Sequence, residues 1–213
     1  MPEIEITREL LSDKVYDMIR ASILDGSRAP GSKVVESDIA RRLNVSQAPV
    51  REAVKRLAHE GMVTSEPRRG SFVTEISTEE FAIARDVRSA LESVGARHAV
   101  ESLSEADVAQ LNRIVARMSE AVEKGDWAGF RTLDMEFHGR VLAIGGHAIL
   151  ARMWSALEPT LVSQRLIGDP SYAGNRELVV QWHRDLVAVL RAGDAQKASD
   201  AFAEHAAGAL GHQ

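Results

Sequence analysis

The chain has 213 residues, of which 45% are hydrophobic and 27% charged, and it carries a formal net charge of −5. These values are ordinary for a soluble globular protein with room for one or two domains. The absence of cysteine excludes disulfide bonds, cysteine-ligated metals and a cysteine nucleophile, and it fits a reducing compartment. No signal peptide is evident and charged residues interrupt the apolar stretches, so we expect a cytoplasmic protein that does not span a membrane.

The charge is unevenly distributed along the chain. Residues 27–73 carry nine Lys or Arg against five acidic residues, whereas the chain from residue 77 onward carries fourteen against nineteen. This asymmetry indicates a basic module that faces a polyanion, joined to an acidic body. The link at residues 75–78 has no Pro/Gly-rich stretch, so we predict two domains, 1–76 and 77–213, held close together.

The N-terminal part of the chain contains one predicted helix. Residues 1–10 have weak structural signals and are expected to form a loose arm. Ser12 is a candidate N-cap for a helix whose apolar side includes Ile19 and Ile23, and Gly26 ends it. We expect this helix to pack behind the elements that follow.

Two short helical patterns come next, separated by a tight turn. Ser37 is predicted to cap the first, and Asn44 tolerates the left-handed backbone conformation that ends it. Ser46 is placed to cap the second, Pro49 lies in its first turn, where proline is tolerated, and Gly61 ends it. The spacing therefore predicts a helix-turn-helix.

A basic hairpin follows, with predicted strands at residues 62–64 and 71–74. A helix-turn-helix with such a wing fits double-stranded DNA, because the second helix can enter the major groove with its N-terminal half. The residues expected to face DNA are Ser46, Gln47, Ala48, Arg51, Lys55, Arg68, Arg69 and Gly70. We expect Gln47 and Arg51 to reach base edges. The alternative is a helical hairpin whose basic faces are solvated.

From residue 77 onward the apolar periodicity predicts only helices. The six segments are at about 78–101, 104–124, 126–144, 147–166, 173–192 and 194–210. Ser77 and Glu80 have the spacing of a capping box, and the short connections favour antiparallel neighbours. The predicted fold is therefore mainly α, a winged helix-turn-helix followed by an all-α antiparallel six-helix bundle.

Four polar residues lie on the otherwise apolar inner faces of these helices. Asp134 and His138 are four residues apart on the third helix and share one face, while His183 and His205 lie within the apolar stripes of the fifth and sixth. Burying them separately would be unfavourable, but one divalent metal could bind all four. We predict a metal site for zinc, with nickel and manganese as alternatives. The opposing interpretation is that each histidine is a hydrogen-bonded core residue.

Arg88 is a further inward polar residue, on the first helix of the bundle. A buried guanidinium needs an anion. This anion could be a protein carboxylate, such as that of Glu92 or Glu136, or the carboxylate of a small organic effector. Gln164 and Arg165 are weaker candidates for lining the same cavity.

Both halves resemble a known family. The stretches PGSKVVESDIARRLNVSQAPVREAVKRLAHEGMV and PRRGSFV resemble the winged-helix domain of GntR-family transcription regulators. The stretches DVRSALE, LDMEFHGRVLAIGGH, HRDLVAVLRAGDA and AFAEH are similar to the FCD effector domain of the FadR subfamily. Six helices rather than seven suggest its VanR-type branch. The family often has Arg in place of Gln47, so the resemblance implies an altered operator preference.

The resemblance also implies roles for individual residues. In metal-binding FCD domains the Asp and His of a DxxxH element and two later histidines coordinate the metal, and they match the four residues above. It favours an effector carboxylate for Arg88. We therefore expect a homodimeric repressor that binds operator DNA, a divalent metal and a small organic acid. The alternatives are a metalloregulator that senses the metal itself and a metal-dependent enzyme, although no general base or nucleophile dyad is evident.

Overall fold

The computed structural model describes residues 3–163 and 174–208, and the chain divides into two compact units, Met1–Ile76 and Ser77–Gln213. The first unit has three helices and a small sheet. Its elements are α1 (Glu3–Leu24), β1 (Lys33–Val34), α2 (Glu36–Leu43), α3 (Gln47–His59), β2 (Val63–Glu66) and β3 (Gly70–Val73). None of the described helices is both long and apolar enough to cross a membrane.

The sheet of the first unit is antiparallel, with strand order β1-β3-β2. Val63 lies opposite Val73, and Lys33 lies opposite Phe72. Helix α1 packs against α3, and the inward side chains Ile19 and Leu57 are fully buried. The predicted helix-turn-helix and wing are thus present around one apolar core.

Three expectations about helix starts were wrong. Helix α1 begins at Glu3, so residues 3–10 are not a loose arm and Ser12 lies inside the helix. The reason is that neither Gly nor Pro interrupts this segment, so helix propagation has no local barrier. Helix α2 begins at Glu36 with Val35 at its N-cap, which places Ser37 in the first turn. Here strand β1, which the sequence pattern did not predict, leads directly into the helix.

The predicted turn between α2 and α3 is confirmed. Asn44 adopts the left-handed conformation with φ 53°, and its N–H donates to the carbonyls of Ala40 and Arg41. Ser46 occupies the N-cap of α3, but its side chain makes no capping hydrogen bond. Gly61, with φ 78°, follows the end of α3. Local backbone preferences therefore explain where this turn lies.

The second unit is helical throughout its described residues. Its six helices are α4 (Thr78–Ser102), α5 (Glu105–Lys124), α6 (Trp127–Ile144), α7 (Ala148–Ser163), α8 (Arg176–Arg191) and α9 (Ala195–Ala206). Ser77 and Glu80 form the predicted capping box at the start of α4. Asp126 and Asp194 accept hydrogen bonds from the first turns of α6 and α9. The expected all-α bundle is confirmed.

Close packing of α4 brings the inner faces of the bundle together. This helix lies against α6, α7 and α9, while α5 packs against α6 and α8. A Cβ atom at Gly95 would collide with Leu142, so glycine allows α4 and α6 to approach closely. The core contains the fully buried rings of Phe130, Phe137 and Phe202. The polar site described below lies on these inner faces.

Candidate metal centre and nucleic-acid interface

Four side chains from three helices meet inside the second unit. Asp134 and His138 come from α6, His183 from α8 and His205 from α9. One potential ligand atom from each lies within 4.8 Å of all the others. The three imidazole rings have centroids 4.8–5.2 Å apart. Residues that are distant in the sequence thus form one compact cluster, which we call the His/Asp cluster.

Outer contacts orient two of the imidazoles. His183 Nδ1 lies 2.8 Å from the carbonyl oxygen of Val179. Because that oxygen can only accept, Nδ1 carries the proton and donates it, and Nε2 turns its lone pair toward the cluster. His138 Nδ1 lies 2.8 Å from Glu92 Oε2 on α4. Partners of this kind commonly hold metal-binding histidines in place.

The ligand atoms themselves are crowded and buried. His183 Nε2 lies 3.1 Å from Asp134 Oδ1 and 3.3 Å from His138 Nε2. His138 and His183 are 0% exposed and Asp134 is 4% exposed, whereas His205 is half-buried. The cluster is therefore enclosed on the α6 and α8 sides and more accessible at His205.

Electrostatics favour the protonation states that a metal requires. Burial lowers the pKa of His138 and, more strongly, that of His205, so both imidazoles are neutral at neutral pH. Burial alone would raise the pKa of Asp134. The contact with His183 and the nearby charge of Arg88 outweigh it and hold this pKa well below its usual range. The cluster thus offers an ionised carboxylate at Asp134 and neutral imidazoles at His138 and His205.

The residues present fit a divalent cation. Three imidazoles and one carboxylate are a donor set that zinc and neighbouring divalent metals accept. His205 Nδ1 is buried and has no hydrogen-bond partner among the described residues, so its polar atom is left unsatisfied by the protein itself. A cation shared by the four ligands would remove this unfavourable state.

Arg88 borders the cluster but already has protein partners. Its Nε lies 2.5 Å from Glu92 Oε1, and its Nη2 lies 3.7 Å from Asp134 Oδ2. Glu136, the other carboxylate considered as a partner, instead pairs with Arg117 at 3.3 Å. Of the two protein carboxylates considered, Glu92 is therefore the one that forms an ion pair with Arg88.

Glu92 was considered as a partner of Arg88, but its contact with the His/Asp cluster was not predicted from the sequence. It is 1% exposed and contacts both Arg88 and His138. Burial would raise its pKa, but the charge of Arg88 and the contact with His138 lower it to about 2. Its position four residues after Arg88 was a visible signal, since such spacing places both on one helix face. Gln164 and Arg165 lie outside the described residues.

The predicted DNA face is formed by α3 and the hairpin. Gln47, Arg51 and Lys55 are exposed on α3, as is Ser46 before it, while Ala48 is half-buried. The opposite side of α3 is buried through Val50, Ala53, Val54 and Leu57. An amphipathic helix with an exposed polar N-terminal half is what major-groove recognition requires.

The wing presents its basic turn to solvent. Arg68 and Arg69, in the turn between β2 and β3, are exposed, and so is Gly70, the first residue of β3. Arg68 has φ 66° and Gly70 has φ 109°, and a Cβ at Gly70 would lie 3.1 Å from Lys33 Cε. Glycine is therefore required for this turn, which brings two guanidinium groups to the edge of the sheet.

Comparison with known proteins accounts for both units. The model described as "Bacterial regulatory proteins, gntR family" matches residues 11–73, and the "FCD domain" model matches residues 84–208. The "HTH-type transcriptional repressor RspR" of Escherichia coli K12 is 27% identical over 195 residues, covering 92% of this chain and 85% of its own. The "Probable D-xylose utilization operon transcriptional repressor" of Paenarthrobacter nicotinovorans is 30% identical over 205 residues, with coverages of 96% and 89%.

A solved structure shows the same fold. "E. coli McbR/YncC" superposes with a TM-score of 0.79 at 22% identity and covers 94% of this chain and 96% of its own. The family of these proteins is non-enzymatic, and its helix-turn-helix binds DNA. The chain therefore belongs to the GntR family of DNA-binding transcription regulators, and its second unit is an FCD domain.

Proposed function

We propose that this protein is a cytoplasmic repressor whose FCD unit binds a divalent metal and a small organic acid. The observation that carries the proposal is the convergence of Asp134, His138, His183 and His205 within 4.8 Å. Zinc is the proposed metal, with nickel and manganese as alternatives. The six helices described for this unit are our reason for placing the chain in the VanR-type branch.

The proposed effector would bind beside the metal. A metal held by the four ligands supplies a Lewis-acidic centre that can accept a carboxylate oxygen. Arg88, whose Nη2 lies 3.7 Å from Asp134 Oδ2, would provide a second contact for the same anion. The effector controls operator binding only if its affinity differs between the DNA-competent and DNA-incompetent states.

One observation favours a second candidate function. Arg88 is already paired with Glu92 at 2.5 Å, so the cluster has less need of an organic anion. A regulator that senses the metal itself would then suffice. Titrating zinc, nickel or manganese against operator binding, without any organic acid, separates the two. A full response to metal alone supports the metalloregulator, whereas a response that requires the acid supports the first proposal.

We further propose residues 1–76 as the operator-binding domain and 77–213 as the effector-binding and dimerisation domain. Ser46, Gln47, Ala48, Arg51, Lys55, Arg68, Arg69 and Gly70 are the proposed DNA contacts. Gln47 and Arg51 would read bases, because Gln pairs well with adenine and Arg with guanine. The basic residues of the wing would contact phosphates, which supply affinity and register.

We expect the protein to be a homodimer that binds an inverted repeat. A single winged helix presents a small recognition surface, and two-fold symmetry doubles it. Light scattering of the protein, alone and with its operator duplex, should give two chains per operator. A monomer at binding concentrations with one chain per operator would contradict this expectation.

Metal affinity should decrease as the pH falls. Imidazoles must be neutral to bind a metal, so protons compete with it. Because burial lowers the pKa of His138 and His205, this competition should start below the ordinary histidine value of 6.5. Chelator competition between pH 8 and pH 5 should show nearly constant affinity at first and then a steep loss. An affinity that stays constant down to pH 5 would argue against histidine ligands.

A further inference from the structure

An ion pair links the two helices of the helix-turn-helix. Glu36 is the first residue of α2 and Arg51 lies in the N-terminal half of α3. Arg51 Nε is 3.4 Å from Glu36 Oε2, with side-chain exposures of 57% and 27%. Within residues 3–163 and 174–208, Glu36 is the carboxylate with which Arg51 forms an ion pair. This contact therefore acts on a residue proposed to read the operator.

The atoms involved leave the reading edge of the arginine available. A guanidinium binds the O6 and N7 atoms of guanine through a two-pronged contact. Occupation of Nε by Glu36 leaves the two terminal amino groups free to form such a fork. The contact also restricts a long side chain before DNA arrives, which lowers the ordering cost of binding.

The carboxylate of Glu36, next to a proposed base-reading residue, is unfavourable for binding DNA. DNA is a polyanion, and a negative charge beside a base-reading arginine weakens non-specific attraction to phosphates. The simple explanation is that Glu36 stabilises the positive end of the α2 dipole. Asp38 lies in the same first turn of α2 and serves the same purpose, but it pairs with Arg41 at 2.6 Å. The dipole does not explain the contact with Arg51.

We infer that Glu36 is a positioning residue for operator reading. It holds the Arg51 guanidinium so that its terminal amino groups face a guanine, and it lowers affinity for non-specific DNA. The inference rests on the proposed role of Arg51 in base contact. Glu36 thus lowers the affinity for DNA in general but raises the selectivity for the operator. A residue that only stabilised the helix would not change this selectivity.

The test compares Glu36→Ala and Glu36→Gln with Asp38→Ala and Asp38→Asn in the full-length chain. The probes are the operator duplex selected from a random pool by the wild-type protein and an unrelated duplex of equal length. All four variants should bind the unrelated duplex more tightly, because each removes one negative charge. Glu36→Ala should also lower the ratio of operator affinity to non-specific affinity by about tenfold and relax the preference for one base.

Glu36→Gln should show a smaller loss of selectivity than Glu36→Ala, since its amide oxygen can still accept from Arg51 Nε. It also preserves side-chain volume and serves as the test if thermal unfolding shows that the alanine variant is unstable. The inference is overturned if selection with the Glu36 variants returns the same motif and the same affinity ratio as selection with the Asp38 variants. Failure of the proposed role of Arg51 is separate and would appear as normal operator selectivity in Arg51→Ala.

Discussion

Replacing Arg51 by alanine is expected to abolish specific operator binding while the fold and metal content stay unchanged. A good bidentate base contact discriminates by about 1–3 kcal/mol, and a dimer would lose two of them. Arg51 is 57% exposed and its ion pair with Glu36 is at the surface, so its removal should change the free energy of unfolding little. Fluorescence anisotropy with operator and unrelated duplexes measures the effect.

The matched control is Arg117→Ala in the second unit. Arg117 is 60% exposed and forms a surface ion pair with Glu136, so this variant also loses one positive charge and one exposed pair. It should retain operator selectivity. Near-normal operator affinity in a folded Arg51→Ala protein would show that Arg51 does not read the operator.

Replacing His183 by alanine should remove the bound metal and lower thermal stability. The substitution deletes one ligand and leaves Asp134, 3.1 Å from His183 Nε2, as a buried charge with fewer partners. Leaving a buried polar group with fewer partners typically costs about 1–3 kcal/mol. The loss of metal should also blunt the response of operator binding to the effector. Elemental analysis and thermal unfolding, with and without added zinc, nickel or manganese, measure the effect.

Two other variants make this result specific to the cluster. His98→Ala removes a half-buried histidine that packs against His147, with ring centroids 4.6 Å apart, outside the cluster. It should keep the metal. Arg88→Ala should keep the metal but lose the effector response. If wild-type protein is metal-free and no added divalent ion stabilises it, the four residues form a polar core and the metal proposal is wrong.

Local patterns in the sequence were enough to predict much of the fold. Asn44, with its left-handed backbone, ends α2, and Ser77 and Glu80 form a capping box at the start of α4. These features depend on residues a few positions apart, so the local sequence is sufficient to predict them. Helical periodicity likewise placed Asp134 and His138 on one inner face, where the structure has them buried.

Contacts between distant segments could not be predicted in the same way. Strand β1 is two residues long and exists because it pairs with β3. Such a short strand has no periodicity to detect, so the start of α2 at Glu36 was misplaced as well. The continuation of α1 to Glu3 was also missed, because weak amphipathic signals were taken as the absence of a helix.

Helix periodicity was enough to identify the polar residues on apolar faces, which are Asp134, His138, His183, His205 and Arg88. Helix period decides which side of a helix is buried, and this information is local. The partners of these residues, in contrast, follow from the packing of the helices. Glu92 contacts both Arg88 and His138, and Glu36 on α2 contacts Arg51 on α3. Ion pairs are set by distances of a few ångströms between side chains, and those distances depend on how the helices pack rather than on their order in the chain.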